Sequence, residues 1–140
     1  MKGIYGAFKT DNSLETAGKW FPFSSRNEDG SIPRFKLRRM AETNPQYLAA
    51  LERLQKELGR SLELDLLDDK ENRAHMVRVF VDTVLVTWEN VFDADNKLME
   101  YSKETATALL TELPDLYRVL AEEARKLQNF RTHTVATVSE

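Results

Sequence analysis

The chain has 140 residues, enough for one domain with a hydrophobic core, and its 41% hydrophobic and 31% charged residues are typical of a soluble globular protein. Lys and Arg number 20 against 23 Asp and Glu, and the resulting net charge of −3 gives no strong attraction to nucleic acid. The lack of cysteine excludes disulfides and fits a reducing cytoplasm, and we see no apolar run of signal-peptide or transmembrane length.

Residues 1–40 carry the pattern of a small antiparallel sheet. Short aromatic and β-branched runs occur in GIYGAFK, KWFPF and IPRFKLRRM, and turn residues such as those of NEDGS separate them. In RFKLR, apolar Phe35 and Leu37 alternate with basic residues, so one face of this strand should pack and the other should be charged. We therefore predict that the N-terminal part is β-rich.

From residue 41 onward the apolar residues follow helical spacing. The most regular segment, NPQYLAALERLQKELG, has Asn44 as its N-cap and Pro45 at its first helical position. Gly59 is expected to end this helix. Two later helices are predicted to begin at Ser102 and Pro114, and residues 131–140 are expected to form a flexible tail.

The valine-rich segment between these helices is open to two interpretations. It could form a strand, but the alternation of its valines changes phase at Val84, and a regular strand would keep one face. In a helix the same residues leave only a narrow polar stripe, as in a buried central helix. We therefore predict a single long helix over Lys70–Asn90.

These elements together predict an α+β fold. A small N-terminal antiparallel sheet over residues 1–40 packs on a mainly α-helical bundle of about four helices over residues 41–130. Residues 1–130 then form one domain.

The stretch DADNK resembles part of a calcium loop. Counting from Asp93, positions 1, 3 and 12 match the EF-hand pattern, the last with Glu104. Lys97 stands where a further ligand belongs, and Leu98 replaces the glycine that the loop requires. A tight turn in which Asp and Asn side chains bond their own backbone is the better interpretation.

We find no catalytic, cofactor-binding or metal-binding motif elsewhere in the sequence. Neither His75 nor His133 has a second ligand at metal spacing, and the sequence contains no nucleophile elbow, P-loop or dinucleotide fingerprint. We predict no enzymatic activity, no cofactor and no metal site.

The only basic cluster, RFKLRR, supplies Arg34, Lys36, Arg38 and Arg39 beside two phenylalanines. Such a cluster could bind nucleic acid through phosphates and stacking, but a charged strand face that protects a sheet edge fits the acidic chain better.

The last helix has an apolar stripe that is a candidate partner-binding surface. Such a stripe is more often part of the core, although an amphipathic helix near the chain end is also typical of a docking element. The candidate residues are Leu116, Tyr117, Leu120, Leu127 and Phe130.

The segment VFVDTVLVTWENVFDADNKLMEYSKETATALLTELPDLYRVLAEEA resembles the tail assembly chaperones of long-tailed, siphovirus-type phages. The shared pattern is a hydrophobic helix ending in Trp, an acidic turn, a short aromatic segment, a helix that opens with Ser, and LPDL leading into a final helix. FKTDNSLETAGKWF and RFKLRRMAETNPQY extend the resemblance over residues 8–126. Many members have Gly in the acidic turn, where this chain has Asn96, which tolerates the same left-handed backbone.

The resemblance implies a protein that binds the phage tape-measure protein and keeps it soluble while tail-tube subunits assemble around it. It implies action in the host cytoplasm and absence from the mature virion. It also implies that a frameshifted longer form could recruit the tail-tube protein, with this chain as the short form. A homo-oligomer is a further possible partner arrangement. Two alternatives stay open, a nucleic-acid-binding or regulatory phage protein and a structural tail connector or terminator.

Overall fold

The structure, a computed structural model, describes residues 3–63 and 69–130, without the side chains of residues 12, 60–63, 69, 127 and 128. Over this part the chain forms six α-helices and three β-strands. The helices are α1 (Ile4–Phe8), α2 (Asn12–Ala17), α3 (Pro45–Glu63), α4 (Asp69–Thr83), α5 (Lys103–Glu112) and α6 (Pro114–Arg125). The strands are β1 (Lys19–Pro22), β2 (Arg34–Leu37) and β3 (Leu85–Glu89), and a 3-10 helix covers Leu127–Phe130. The α+β fold predicted from the sequence is confirmed, and the predicted tail over residues 131–140 lies outside the described residues.

The three strands form one antiparallel sheet in the order β1-β2-β3. Two of the predicted strand runs are confirmed, because KWFPF contains β1 and IPRFKLRRM contains β2. Trp20 lies opposite Lys36 on β2, and Phe35 lies opposite Trp88 on β3. The sheet therefore joins the N-terminal part to a strand from the middle of the chain.

The prediction of a strand in GIYGAFK is wrong, because these residues form α1. Backbone N–H groups of Ala7 and Lys9 donate to the carbonyls of Gly3 and Tyr5 at 3.0 and 2.9 Å, which are helical hydrogen bonds. Phe8 lies four residues after Ile4 and three after Tyr5, a spacing that puts all three apolar side chains on one face of a helix, whereas a strand would turn Tyr5 away from the other two.

The prediction of one helix over Lys70–Asn90 is also wrong beyond Thr83. Helix α4 ends there, the Thr83 hydroxyl donates to the Val79 carbonyl at 2.7 Å, and the chain then enters β3. The segment predicted as one apolar helix is thus helical to Thr83 and forms a five-residue strand over Leu85–Glu89, and both parts contribute to the core.

The valine phase changes at Val84 because α4 ends at Thr83, and a β-bulge then interrupts the alternation within β3. Leu85 pairs with Leu37 and Thr87 pairs with Lys36, so Val86 is an extra residue on β3. Because of this extra residue, Leu85 and Trp88 can both be buried although they stand three positions apart. A regular strand would have placed them on opposite faces.

The predicted start of α3 is confirmed in detail. The Asn44 side-chain oxygen accepts hydrogen bonds from the backbone N–H groups of Gln46 and Tyr47, as an N-cap does. Gly59 interrupts the helical segment with φ 34° and ψ −105°, a conformation that favours glycine, but helical backbone continues to Glu63. Gly59 is therefore a kink and not the end.

The core lies between the sheet and helices α4, α5 and α6. An aromatic series crosses it, with ring centroids of Phe23 and Phe35 5.4 Å apart, Phe35 and Trp88 6.0 Å apart, and Trp88 and Tyr101 5.2 Å apart. The fully buried aliphatic and aromatic side chains around it include Leu37, Val77, Phe80, Val81, Val84, Leu110, Leu120 and Phe130.

Candidate functional site

Helix α6 packs one side on the core and leaves another side exposed. It begins at Pro114, whose fixed φ suits the first helical position, and it buries Leu120, Ala121 and Ala124. Val119, next to Leu120 in sequence, is 46% exposed. The helix thus presents an apolar side chain to solvent beside its buried stripe.

The predicted partner-binding residues do not form an exposed stripe. Leu120 and Phe130 are 1% and 0% exposed and belong to the core of the single chain. Leu116 and Tyr117 are partly buried against that core, and Tyr117 packs edge-on against Phe80 at 5.3 Å between ring centroids. The side chain of Leu127 lies outside the described part of the structure. Their role in binding a partner stays a prediction.

An open apolar groove lies between β1 and α6. Its walls are formed by Phe21, Pro22 and Phe23 from the sheet side and by Val119 and Leu120 from the helix, and its volume is about 310 Å³. Phe21 also packs against Phe130, with ring centroids 6.3 Å apart, so the floor of the groove rests on the core. We call this feature the α6 groove.

The α6 groove carries one charge at its rim. Glu123 lines it and accepts a hydrogen bond from Lys126 Nζ at 2.7 Å and one from Asn129 Nδ2 at 3.1 Å. The hydrogen bond from Lys126 lowers the pKa of Glu123, against the effect of burial, which raises it. The groove is therefore apolar with a single anionic edge.

Sequence reasoning missed the open side of α6 and the sheet side of the groove. Val119 lies three residues after Leu116, so the two are neighbours on the helix surface. Phe21 and Phe23 alternate in KWFPF, which would have placed both on one strand face. The signals were present, but only the fold shows that the strand and the helix are adjacent.

The residues of the basic cluster RFKLRR have different environments in the structure. Arg39 Nη1 lies 2.8 Å from the buried Glu15 carboxylate, and Arg34 pairs with Glu89 across the sheet. Arg38 donates to the Thr16 carbonyl at 2.7 Å and to Gln46 at 3.0 Å. These three residues are therefore tied into the fold.

Part of that cluster nevertheless surrounds an aromatic ring on the outer face of the sheet. The Arg34 guanidinium carbon and the Lys36 Nζ atom lie 5.0 and 6.0 Å from the centroid of the Trp20 ring. These residues form a small cationic-aromatic patch.

The predicted tight turn at DADNK is present. Asp93 Oδ1 accepts hydrogen bonds from the backbone N–H groups of Asp95 and Lys97, each at 2.9 Å, and Asn96 has φ 62°. The Asp93 carboxylate is thus used to hold the turn.

The described ranges, 3–63 and 69–130, carry neither a metal-binding cluster nor a membrane-spanning helix. They contain no group of three or more His, Cys, Asp or Glu residues that could hold a metal ion, and His133 falls outside them. No helix within them has the length and hydropathy needed to cross a bilayer.

Comparison with known proteins gave one result. A family model described as "YdaY prophage protein" matches residues 42–139, which is more than half of the chain. The matched range includes α3 through α6 and β3, and it begins after β2. Comparisons with curated proteins and with solved structures gave no match.

Proposed function

We propose a role in tail assembly for this chain, which belongs to the YdaY prophage protein family and is therefore a phage-derived protein. In this proposal it is a tail assembly chaperone that binds the tape-measure protein and keeps it soluble until the tail tube forms around it. The chain makes no covalent change to its client. It covers apolar helix surface that would otherwise aggregate.

The α6 groove is the observation that carries this proposal. Phe21, Phe23 and Val119 form an apolar cleft that is open to solvent, and Phe21 packs against the buried Phe130. A groove of this kind accepts the apolar face of an amphipathic helix, and the tape-measure protein is expected to be rich in such helices. Many weak contacts along one long client would add to a firm association.

In this proposal the protein also has a defined stage and compartment of action. It acts in the host cytoplasm during assembly and is absent from finished particles. A frameshifted longer form would bring the tail-tube protein to the same client. Quantitative mass spectrometry of purified virions tests this point, because stoichiometric amounts of the chain there would instead favour a structural connector or terminator.

Co-expression with the phage's tape-measure protein tests the proposal. We expect most of the tape-measure protein in the soluble fraction when this chain is present and most of it in the pellet when the chain is absent. Equal solubility in both cases would overturn the chaperone role.

Two single substitutions test whether the α6 groove is responsible for the solubility of the tape-measure protein. Val119→Asp introduces a charge into the apolar cleft and should return the tape-measure protein to the pellet. Leu48→Asp is the matched control, because Leu48 is 40% exposed on α3, away from the groove. We expect Leu48→Asp to retain full chaperone activity.

A second candidate function, nucleic-acid binding, rests on the cationic-aromatic patch of Trp20, Arg34 and Lys36. A ring flanked by two cations could stack a base and contact a phosphate. An electrophoretic shift with single-stranded DNA that weakens with salt and disappears in Lys36→Glu would favour this function. No shift at low salt would exclude it.

A further inference from the structure

A second groove lies between α3 and α4, and none of the residues that line the α6 groove lines it. It consists of two adjoining cavities of about 500 and 220 Å³, both lined by Arg53 of α3 and Asp82 of α4. The first cavity lies beside the start of α3 and the end of α4, and the second beside the later part of α3 and the middle of α4. The two helices therefore run antiparallel with the groove between them. We call this feature the α3–α4 groove.

The apolar lining of the α3–α4 groove consists mostly of short side chains. Ala50 and Val79 line it and are buried, and Ala49 and Leu54 are half-buried there. The distance between packed helices depends on the size of the side chains at their contact. A third helix could therefore come close to both α3 and α4, as helices do in a bundle.

Cations outnumber anions along the α3–α4 groove. The charged side chains that line it are Arg53, Arg78, Lys103, Glu57 and Asp82, so three cations and two anions give +1 in a chain of net charge −3. Asp82 is paired with Lys103, whose Nζ atom lies 3.5 Å from its carboxylate. Within residues 3–63 and 69–130, Arg53 makes no hydrogen bond or ion pair, and Arg78 contacts only the ring of His75, at 3.5 Å. Two exposed guanidinium groups thus stand at the groove without a carboxylate partner.

Both arginines lie well inside the described helices. Arg53 comes ten residues before the described end of α3 at Glu63, and Arg78 comes nine residues after the start of α4 at Asp69. At about 3.6 residues per turn, each arginine is more than two turns from these ends. The unpaired guanidinium groups therefore belong to the part of the groove where α3 and α4 pack together.

The distribution of charge favours a protein helix over a nucleic-acid strand in the α3–α4 groove. A phosphate backbone is negative along its whole length and would meet Glu57 and Asp82 as like charges. An amphipathic helix can instead place carboxylates only beside Arg53 and Arg78, while its apolar stripe covers the alanines between them. The charge of the groove is thus complementary to a helix that combines an apolar stripe with acidic flanks.

We propose that the α3–α4 groove binds an acidic amphipathic helix of a protein partner. Carboxylates of that helix pair with the guanidinium groups of Arg53 and Arg78, which can bind a carboxylate through two parallel hydrogen bonds. Its apolar stripe rests on Ala49, Ala50 and Leu54. This inference does not depend on the tape-measure client, because the two grooves share no residue and each can fail without the other.

Fluorescence anisotropy with the full chain and two labelled peptides tests this proposal. Both peptides are amphipathic helices of about 20 residues with the same leucine stripe, and they carry either glutamates or lysines on its flanks. We expect the glutamate peptide to bind with a dissociation constant of about 10 to 100 μM and the lysine peptide to bind at least about tenfold more weakly. A chain of net charge −3 attracts the lysine peptide non-specifically, so a preference for glutamate reports the local charge of the groove.

Charge reversal at the two arginines connects the peptide binding to the α3–α4 groove. Arg53→Glu/Arg78→Glu should weaken the glutamate peptide by about tenfold or more and strengthen the lysine peptide, because the sign of the groove changes. Both arginines are exposed, so circular dichroism should show an unchanged fold. Lys97→Glu/Arg118→Glu is the matched control, because it changes the net charge equally at exposed cations that do not line the groove. The control should keep the wild-type affinity within about twofold.

Five results would overturn the proposal. They are equal affinity for the two peptides, no binding of the glutamate peptide at about 1 mM, an unchanged affinity in Arg53→Glu/Arg78→Glu, an equal loss in the control variant, and displacement of the peptide by an equimolar single-stranded DNA oligonucleotide. The last result would assign the two arginines to phosphate binding. The solubility of the tape-measure protein on co-expression is a separate measurement, so failure of one proposal can be told from failure of the other.

Discussion

Glu15 fastens the N-terminal segment to the body through a buried ion pair. Its carboxylate accepts hydrogen bonds from Arg39 and Thr43 at 2.8 Å and from Thr10 at 2.9 Å. Burial raises the pKa of Glu15, but the hydrogen bonds from Arg39, Thr43 and Thr10 outweigh it, and the pKa lies below the ordinary value of 4.5. The ionised form is therefore the one that the fold stabilises.

Replacing Glu15 with Gln should lower the free energy of unfolding at pH 7 by about 3 kcal/mol, because Arg39 would keep a partly buried charge without a counter-ion. Urea denaturation followed by circular dichroism measures this loss. Glu42→Gln is the control, because Glu42 is exposed, and it should change stability by less than about 0.5 kcal/mol. Equal stability of the two variants would contradict the role given to Glu15.

The same residue gives a pH dependence with a definite sign. Because the pKa of Glu15 is lower in the folded chain than the ordinary 4.5, its contribution is fully present above pH 4.5 and is lost as the pH falls through the folded value. The difference in stability between wild type and Glu15→Gln should therefore be largest at neutral pH and shrink in acid. A constant difference from pH 7 to pH 3 would rule this out.

Asn44 connects the start of α3 to the end of α4. Its side-chain oxygen caps α3, while its Nδ2 group donates to the carbonyls of Arg39 and Thr83, both at 3.0 Å. Asn44→Asp keeps the capping oxygen but loses both donors in a buried place, and it should cost about 2 kcal/mol in urea unfolding at pH 7. Equal free energies of unfolding for Asn44→Asp and wild type would show that the hydrogen bonds from Asn44 Nδ2 to Arg39 and Thr83 do not stabilise the fold.

At the scale of single elements, the sequence predicted well where local chemistry decides the structure. Asn44 and Pro45 start α3, and Ser102 starts α5, where its side chain and that of Thr105 form a capping box. Caps and proline act within one turn of helix, so they can be recognised without knowledge of the fold.

Strand β3 could not be predicted in this way. Its assignment depends on pairing with β2 and on the bulge at Val86, and both are contacts between distant parts of the chain. In α1 the β-branched and aromatic residue types favoured a strand, although the spacing of Ile4, Tyr5 and Phe8 is that of a helix.

The DADNK turn offers a local test. Asn96 has φ 62°, where glycine is unstrained and alanine is strained by about 1 kcal/mol. Asn96→Ala should therefore be destabilised by about 1 kcal/mol in thermal or urea unfolding, and Asn96→Gly should stay within about 0.5 kcal/mol of wild type. Equal loss in both variants would show that the Asn96 side chain, and not its backbone, matters.

At the scale of the whole molecule, the surface available to a partner depends on how α6 sits on the core. The sequence predicts an apolar stripe that includes Leu120 and Phe130, and the fold buries both residues in the core of the single chain. What stays open is the neighbouring side with Val119, which lines the α6 groove together with Phe21 of β1 and Phe23 just after it, almost a hundred residues earlier in the chain. The apolar periodicity of α6 cannot by itself show that this helix lies beside β1.

Site-specific photo-crosslinking in phage-producing cells tests the central claim most directly. A photoreactive phenylalanine analogue replaces Val119 in the α6 groove or, as the control, Leu98 on the turn segment, and the crosslinked products are identified by mass spectrometry. Our account predicts that position 119 crosslinks to the tape-measure protein and that position 98 does so several-fold less. Crosslinks to that protein at equal yield from both positions, or none from position 119, would contradict it.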